Sequence, residues 1–331
     1  MKVLIIGGTG LISQAVTRLA VARGHSVTLL NRGKREAEFA GQVEELHADK
    51  HDPDAFRDAL GRREFDVAAD FIPFTPADIG EDVAVLAGRV GHFLAISSAS
   101  AYEKPPSHYL VTEETPLANP FWEYSRNKIA MEQAVWQAVE NGFPGTVVRP
   151  SLTYSESFVP GVFSSGYGLF HRILQGKPIV SHGDGQSLWQ MTFNDDFARG
   201  FVGLFGKREA VGQAYHITTD EVLTWDRIYQ TMAEAVGREV RLVHVPTDFI
   251  ETVDPHAGAS LRGDKMYSTV LDNTKIKRAV PSFRAEVSLR EGMERCLAWF
   301  QAHPERKVPD PALDAAIDRI LNAHAGRRVD R

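Results

Sequence analysis

The chain has 331 residues, 43% hydrophobic and 24% charged, the mix of an ordinary soluble globular protein with room for one large and one small domain. With 37 Lys and Arg against 43 Asp and Glu, the formal net charge is -6, which recruits no polyanion as a partner. The single cysteine, Cys296, excludes an internal disulfide and a CxxC metal or redox site; among Met293, Leu297 and Phe300 it reads as a buried structural thiol.

Met1 to Ile6 opens as a strand rather than a signal peptide, and the apolar run is too short for a membrane span, so a cytoplasmic protein is expected. Within it, Val3 to Ile6 suits a central parallel strand covered on both faces. A helix is predicted from about Leu11 to Ala22 on the spacing of Leu11, Ala15, Val16 and Leu19, with Gly24 as its stop. Strands follow at Val27 to Leu30 and Val43 to His47, then a short helix at Asp54 to Leu60. Phe65 to Phe71 carries a strand and Ala77 to Gly88 a helix. His92 to Ile96 is a strand ending in Ser97 and Ser98. A helix from about Trp122 to Glu140 and a strand at Thr146 to Val148 close this half. The alternation predicts an α/β, doubly wound parallel-sheet dinucleotide-binding fold.

After Pro150 the pattern loosens. Glycines, prolines and aromatics crowd Tyr154 to Gly185, which reads as pocket-shaping loops. Helices are predicted at Asn194 to Leu204, from near Thr224, at Leu289 to Trp299 and at Ala312 to Ala323, with strands at Ala214 to Ile217 and Arg241 to Val245. We place a dinucleotide-binding domain at 1–150 and a smaller, mainly substrate-binding C-terminal lobe at 151–331, some of whose elements return to the main sheet.

Gly7-Gly8-Thr9-Gly10-Leu11-Ile12 lies between a strand and a helix, the frame a dinucleotide site needs. Gly7 allows the tight turn, Gly10 admits the pyrophosphate, and the amides at the helix start face the phosphates. Ser13 stands at the usual third glycine; larger than glycine, it could crowd helix against strand, but it is small enough to be tolerated. The second strand ends in Asn31-Arg32 instead of an acid, which attracts the 2′-phosphate of NADP, with Lys34 or Arg35 assisting; a solvated turn is the alternative. NADP is thus expected over NAD. Asp49 could bond the adenine amine or cap the next helix, although Asp52 is better placed to cap.

Tyr124 and Lys128 are four apart on a predicted helix and face the same way. A tyrosine ionises near pH 10, and a neighbouring ammonium lowers that value, so the pair can take a proton from an alcohol or return one to a carbonyl. Lys128 can also hold the nicotinamide ribose. Ser98, at the carboxyl edge of a strand, can hydrogen-bond the reacting oxygen, and Ser100 could share the task.

Together with Ser98-Ala99-Ser100-Ala101-Tyr102, Tyr124 to Lys128, Arg149-Pro150, the Ile173 to Ile179 stretch and Phe193 to Asp196, the glycine turn resembles the extended short-chain dehydrogenase/reductase family, in its NAD-dependent epimerase/dehydratase branch. The resemblance implies Ser98 as the residue orienting the substrate oxygen, Tyr124 as acid/base, Lys128 as ribose ligand and tuner, and Asp49 as adenine contact. It also implies a homodimer through the helices beginning near Pro76 and Trp122. Where nucleotide-sugar epimerases often carry a diphosphate-clamping arginine, this chain has Trp189, whose indole offers one N–H and no charge but can stack on a ring. Arg172 or Arg262 would be the substitute clamps. The Asn-Arg-Gly turn also resembles plant chloroplast stem-loop-binding proteins, but the -6 balance argues against RNA.

The histidines form no metal motif; His47 and His51 flank Asp49 in a turn, and no metal is expected. Glu113 and Glu114 read as a solvated loop. Phe158, Phe163, Tyr167 and Phe170 build either the substrate pocket or the lobe's core. The function expected is that of an NAD(P)-dependent oxidoreductase or epimerase acting on a secondary alcohol or carbonyl of a sugar-like or other polar small molecule, with no nucleic acid or membrane partner. The alternative is a catalytically silent nucleotide-sensing or RNA-associated protein of the same fold.

Overall fold

A computed structural model describes residues 1–33, 39, 41–163 and 166–329, with side chains as far as 326. Lys34 and Arg35, the expected helpers at a 2′-phosphate, lie outside the described residues. In chain order the first half comprises β1 (Lys2–Ile6), α1 (Ser13–Ala22), β2 (Ser26–Asn31), β3 (Glu44–His47), α2 (Pro53–Leu60), β4 (Val67–Asp70), α3 (Pro76–Leu86), β5 (Phe93–Ile96), β6 (Leu110–Val111), α4 (Glu123–Glu140), β7 (Gly145–Pro150) and β8 (Leu152–Tyr154). The second half continues with α5 (Gly168–Leu174), β9 (Ile179–His182), β10 (Leu188–Trp189), β11 (Met191–Phe193), α6 (Asn194–Gly203), β12 (Ala214–Ile217), β13 (Leu223–Thr224), α7 (Trp225–Ala235) and β14 (Leu242–Val245).

The main sheet has seven strands in the order β12-β7-β5-β4-β1-β2-β3, all parallel. An interior strand, β1, explains the architecture. Val3, Leu4, Ile5 and Ile6 are all fully buried, because successive side chains point to opposite faces and both faces are covered. Val3 and Ile5 pack with Ala15 and Val16 of α1 and Phe197 and Phe201 of α6. Leu4 and Ile6 pack with Phe56 of α2, Ile79 of α3 and Met131 of α4. The strand order reverses between β1 and β4, so a crevice opens there at the carboxyl ends of the strands.

The C-terminal residues do not form a separate body. β12 pairs with β7 in the register Ala214↔Val147, and α6 shares a core with α1. The remainder packs a second core around Trp225, Tyr229, Phe170 and Phe193, with the β9–β14 pair beside it.

The stretch expected to be loops, Tyr154 to Gly185, holds α5 and β9. Leu169, Phe170 and Ile173 have helical spacing and are buried in the second core, and this tertiary burial outweighs the local glycines. Tyr167 and Phe170 belong to that core, and Phe158 and Phe163 pack against it. Glu113 is also not a solvated residue. Its carboxylate is buried and accepts the His216 amide at 3.0 Å, closing the edge of β12. Cys296 is fully buried, its Sγ 3.2 Å from Ser155 O, and burial pushes the thiol well above its usual range.

Candidate active site

Two cavities lie at the carboxyl edge of the sheet. The larger, about 620 Å³, runs along the ends of β1, β2 and β4 between Gly7, Gly10, Asn31, Asp49 and Ile72. Its floor is the glycine turn. Gly7 has a φ of 76°, and a Cβ there would sit 2.6 Å from Ile72 Cγ1, so both the turn and the approach of the β4 loop demand glycine.

Ser13 does not crowd the helix. Its hydroxyl donates to Gly7 O at 2.6 Å and accepts from Gly10 N at 2.8 Å, tying the turn into one shape. That bond occupies the Gly10 amide and starts α1 at Ser13. The amides of Leu11 and Ile12 are left without a partner among the described residues. They are the donors the turn can offer to a phosphate.

At the end of β2, Asn31 is buried. Its Oδ1 accepts from Gly33 N at 2.8 Å and lies 3.2 Å from His47 Nδ1, while its Nδ2 has no partner among the described residues. Arg32 faces solvent, 4.0 Å from Asp49. Asp52 caps α2 through Asp54 N and Ala55 N, so Asp49 stays at the cavity wall. Thr9 lines the cavity as well, whereas the Leu11 carbonyl accepts from Asn194 Nδ2 of α6 at 3.1 Å.

Sequence reasoning missed Lys50. Its ammonium is buried beneath this cavity, in contact with Asp70 and 2.9 Å from Asp82. Burial opposes its charge, but the two carboxylates override that and hold it protonated. Burial, together with the Asp70 charge, raises Asp82 well above the carboxylate range. On the rim, His51 Nδ1 lies 3.2 Å from Asp78 and 3.1 Å from Glu81, an ion pair when the imidazole is protonated.

The second cavity, about 230 Å³, is lined by Ser97, Ser98, Tyr124, Trp122, Trp189 and Asp264, among others. Ile12, two residues past Gly10, also lines it, so the glycine turn stands between the two cavities. Ser98 lies two residues past β5 in extended conformation; its Oγ accepts Ser100 N at 3.2 Å and lies 3.0 Å from Ser100 Oγ. Tyr124, in the first turn of α4, packs its half-buried ring against Trp122 and Phe74. Burial raises its phenol above the ordinary range, and a hydrogen bond with Ser98 opposes that rise.

Lys128 is one turn further along α4 and buried. It donates to Pro73 O at 2.7 Å and Ile96 O at 2.9 Å, with Nζ 5.9 Å from the Tyr124 ring centre. Burial lowers it to about 8, partly offset by Asp70 and Glu132. The structure therefore gathers Ser98, Tyr124 and Lys128 at one end of the crevice and Gly7, Thr9, Gly10, Asn31, Arg32 and Asp49 at the other.

Neither substitute clamp is free. Arg172 is fully buried on Asp314 and Asp318, and Arg262 is paired with Glu251 and Asp248. Trp189 instead walls the smaller cavity, its indole N–H without a partner among the described residues. Arg149 is structural: it pairs with Glu132 at 2.6 Å and donates to Tyr102 OH at 2.8 Å, and that hydroxyl contacts His216. Two long-range links shape the cavity. Buried Asn119 donates from Nδ2 to Ser100 O at 2.6 Å and to Gly263 O at 2.5 Å. Gly263 sits in a π-helical turn, Leu261–Lys265, where a Cβ would meet Trp122 Cβ at 2.5 Å.

Among the described residues no helix is long and apolar enough to cross a membrane. A model of the NAD dependent epimerase/dehydratase family matches residues 3–218. A 2′-dehydrokanamycin reductase of Streptomyces kanamyceticus is 26% identical over 323 residues, 97% of this chain and 90% of its own length. The chloroplast stem-loop binding protein of 41 kDa b of Arabidopsis thaliana is 28% identical over 264 residues, 75% of this chain and 67% of its own. Among solved structures, an epimerase of Methanothermobacter thermautotrophicus superposes with a TM-score of 0.75 at 19% identity, covering 92% of this chain and 93% of that one. The UDP-glucose 4-epimerase of Bifidobacterium longum, in complex with NAD+ and UDP, has a TM-score of 0.72 at 16% identity, covering 93% and 100%.

Proposed function

The chain belongs to the NAD dependent epimerase/dehydratase family and is an NAD(P)-dependent, epimerase/dehydrogenase-like enzyme; on that premise we propose that it interconverts a secondary alcohol and a carbonyl on a polar, sugar-like small molecule. The observation that carries this reading is the convergence of Ser98 and Tyr124 on a cavity divided from the dinucleotide crevice by the glycine turn, with Lys128 buried one helical turn behind Tyr124. The cofactor, when bound, supplies or accepts the hydride at its nicotinamide ring. The chain's own residues do the rest. Ser98 Oγ holds the substrate oxygen, Tyr124 OH gives or takes its proton, and the Lys128 ammonium favours the phenolate. Full-length coverage by a relative named as a reductase favours net reduction over epimerisation.

The crevice fits a dinucleotide, and we assign NADP as its preferred form. The unpartnered Asn31 Nδ2 is a donor, and the Arg32 guanidinium is a cation, at the end of β2 where an acid would repel a 2′-phosphate. Leu11 and Ile12 would hold the pyrophosphate through their amides, Asp49 the adenine and Lys128 the nicotinamide ribose. Residues 1–150 then serve mainly the cofactor and 151–331 mainly the substrate. We further assign a cytoplasmic homodimer formed through α3 and α4, without a nucleic-acid partner.

Titration of the purified protein with NADPH and NADH, beside turnover by the Tyr124→Phe variant, tests the reading. It predicts tighter NADPH binding and a variant that binds cofactor but has lost turnover. Normal turnover by that variant would refute the mechanism. The likeness to the stem-loop binding protein motivates the second reading, a non-catalytic RNA-associated protein. Sequence-selective retention of stem-loop RNA, with no turnover of any carbonyl, would favour it.

A further inference from the structure

Three polar atoms of the smaller cavity's wall are buried and lack any hydrogen bond among the described residues: Ser97 Oγ, Trp189 Nε1 and Asp264 Oδ1. Buried polar atoms are normally paired, and orphans concentrated at one cavity indicate partners that arrive with a ligand. Asp264 is the most costly of them. It is 93% buried, yet its nearest cations stand off: Lys265 Nζ is 3.7 Å from Oδ2 and Lys104 Nζ is 4.0 Å from Oδ1. Both ammoniums have other contacts. Lys104 donates to Thr269 Oγ1 at 3.3 Å, and Lys265 lies 5.1 Å from the centre of the Trp122 ring. The carboxylate also sits in the π-helical turn Leu261–Lys265, a distortion that recurs at functional sites.

We propose that Asp264 is a specificity-determining residue whose carboxylate accepts a hydrogen bond from an O–H or N–H group on a single substrate ring, next to the carbon served by Ser98 and Tyr124. Trp189 donates its indole N–H to a second oxygen of that ring. The proposal rests on the carbonyl-reductase reading of the same site and narrows it. An acceptor, a donor and a hydroxyl that can do either suit a ring bearing several hydroxyl or amino groups. The volume, about 230 Å³, is below the roughly 300 Å³ at which drug-sized pockets begin, and so suits one ring. Among the described residues no arginine lines it, and Arg172 and Arg262 are both engaged elsewhere. A ring without a nucleoside diphosphate is therefore the favoured ligand class.

The test is saturation-transfer NMR on the NADP+-loaded protein with D-glucose, D-glucosamine, myo-inositol and UDP-glucose. At least one single-ring probe should bind, and UDP-glucose should bind no tighter than D-glucose. Preference for glucosamine would identify the donor as an ammonium, and preference for glucose or inositol as a hydroxyl. Asp264→Asn should weaken the bound probe by about tenfold or more, as expected for loss of a charge-assisted hydrogen bond. Trp189→Phe, which deletes only the N–H donor and part of the ring, should weaken it less. NADPH titration and thermal unfolding of each variant report whether the fold and the cofactor site are intact. The proposal is overturned if no single-ring probe binds, if UDP-glucose alone binds, or if intact Asp264→Asn binds as well as the parent. Failure of the parent protein to bind NADPH would instead overturn the reductase reading itself.

Discussion

Replacing Lys128 by methionine isolates the electrostatic part of the proposed chemistry. The ammonium lies 5.9 Å from the centre of the Tyr124 ring. At an effective dielectric of about 20, unit charges at that separation attract by roughly 3 kcal/mol. That corresponds to about two pKa units on the phenol, or about a hundredfold in the fraction ionised at neutral pH. The phenol needs this help, because burial, together with the Asp264 charge, holds it above its ordinary range. The Lys128→Met variant should therefore lose about a hundredfold in kcat/KM for alcohol oxidation near pH 7. Its limiting pKa in the pH profile should rise by about two units. The profile of the parent enzyme should itself bend near pH 8, where Lys128, lowered by burial to about 8, gives up its charge. Initial rates followed by nicotinamide absorbance between pH 6 and 10 give both quantities. The variant leaves the Pro73 and Ile96 carbonyls without the ammonium, so folding must be checked by cofactor titration. A folded variant with an unmoved profile and kcat/KM within about threefold of the parent would refute the assigned role.

Ser13→Ala removes the hydroxyl that joins Gly7 O to Gly10 N, and should lower unfolding free energy by about 1–3 kcal/mol in urea while weakening cofactor binding; an unchanged midpoint and affinity would contradict the tie. Glu132→Gln leaves the buried Arg149 guanidinium short of its counter-charge, at a cost of about 3–5 kcal/mol, visible as a large fall in the melting temperature. Arg32→Ala should weaken NADPH binding by about tenfold and leave NADH nearly unchanged, the signature of a lost phosphate contact. Burial holds His92 and His182 near 4 and His216 near 3, below the unfolded value of about 6.5. Above that value both states are neutral and these groups contribute nothing. As the pH falls from 6.5 toward 4 the unfolded chain binds protons first, so stability should drop by several kcal/mol over that window, and a flat urea midpoint would disprove it.

The parts legible in the sequence were those with local signatures. β1 shows itself as an unbroken apolar run, and the glycine turn by its place between that run and a helix. β5 is followed directly by serines, and α4 begins with a Tyr–Lys pair one turn apart. The helix α5 was not legible, because its glycine-rich surroundings masked apolar positions that only the second core explains. Ser13 was legible as a tolerable third position but not as a tie, because counting glycines ignores what a hydroxyl can bond. Lys50, Asp70 and Asp82 come from the loop after β3, from β4 and from α3, and nothing in their spacing brings them together before the sheet does. Asp264 reaches the cavity from a turn 140 residues beyond Tyr124, and its single sign, an unsatisfied oxygen, exists only in the folded protein.

The two hydrogen bonds of Asn119 bear on how this active site can change. One amide nitrogen fastens the serine loop after β5 to the turn that carries Asp264. The opposing banks of the cleft are thus riveted together, where a jaw would swing on a hinge. Such a slot cannot adapt to a larger guest by opening, so new guests must be admitted by resculpting its walls at positions such as Trp122 and Trp189. Cutting the rivet, by contrast, would exchange selectivity for breadth.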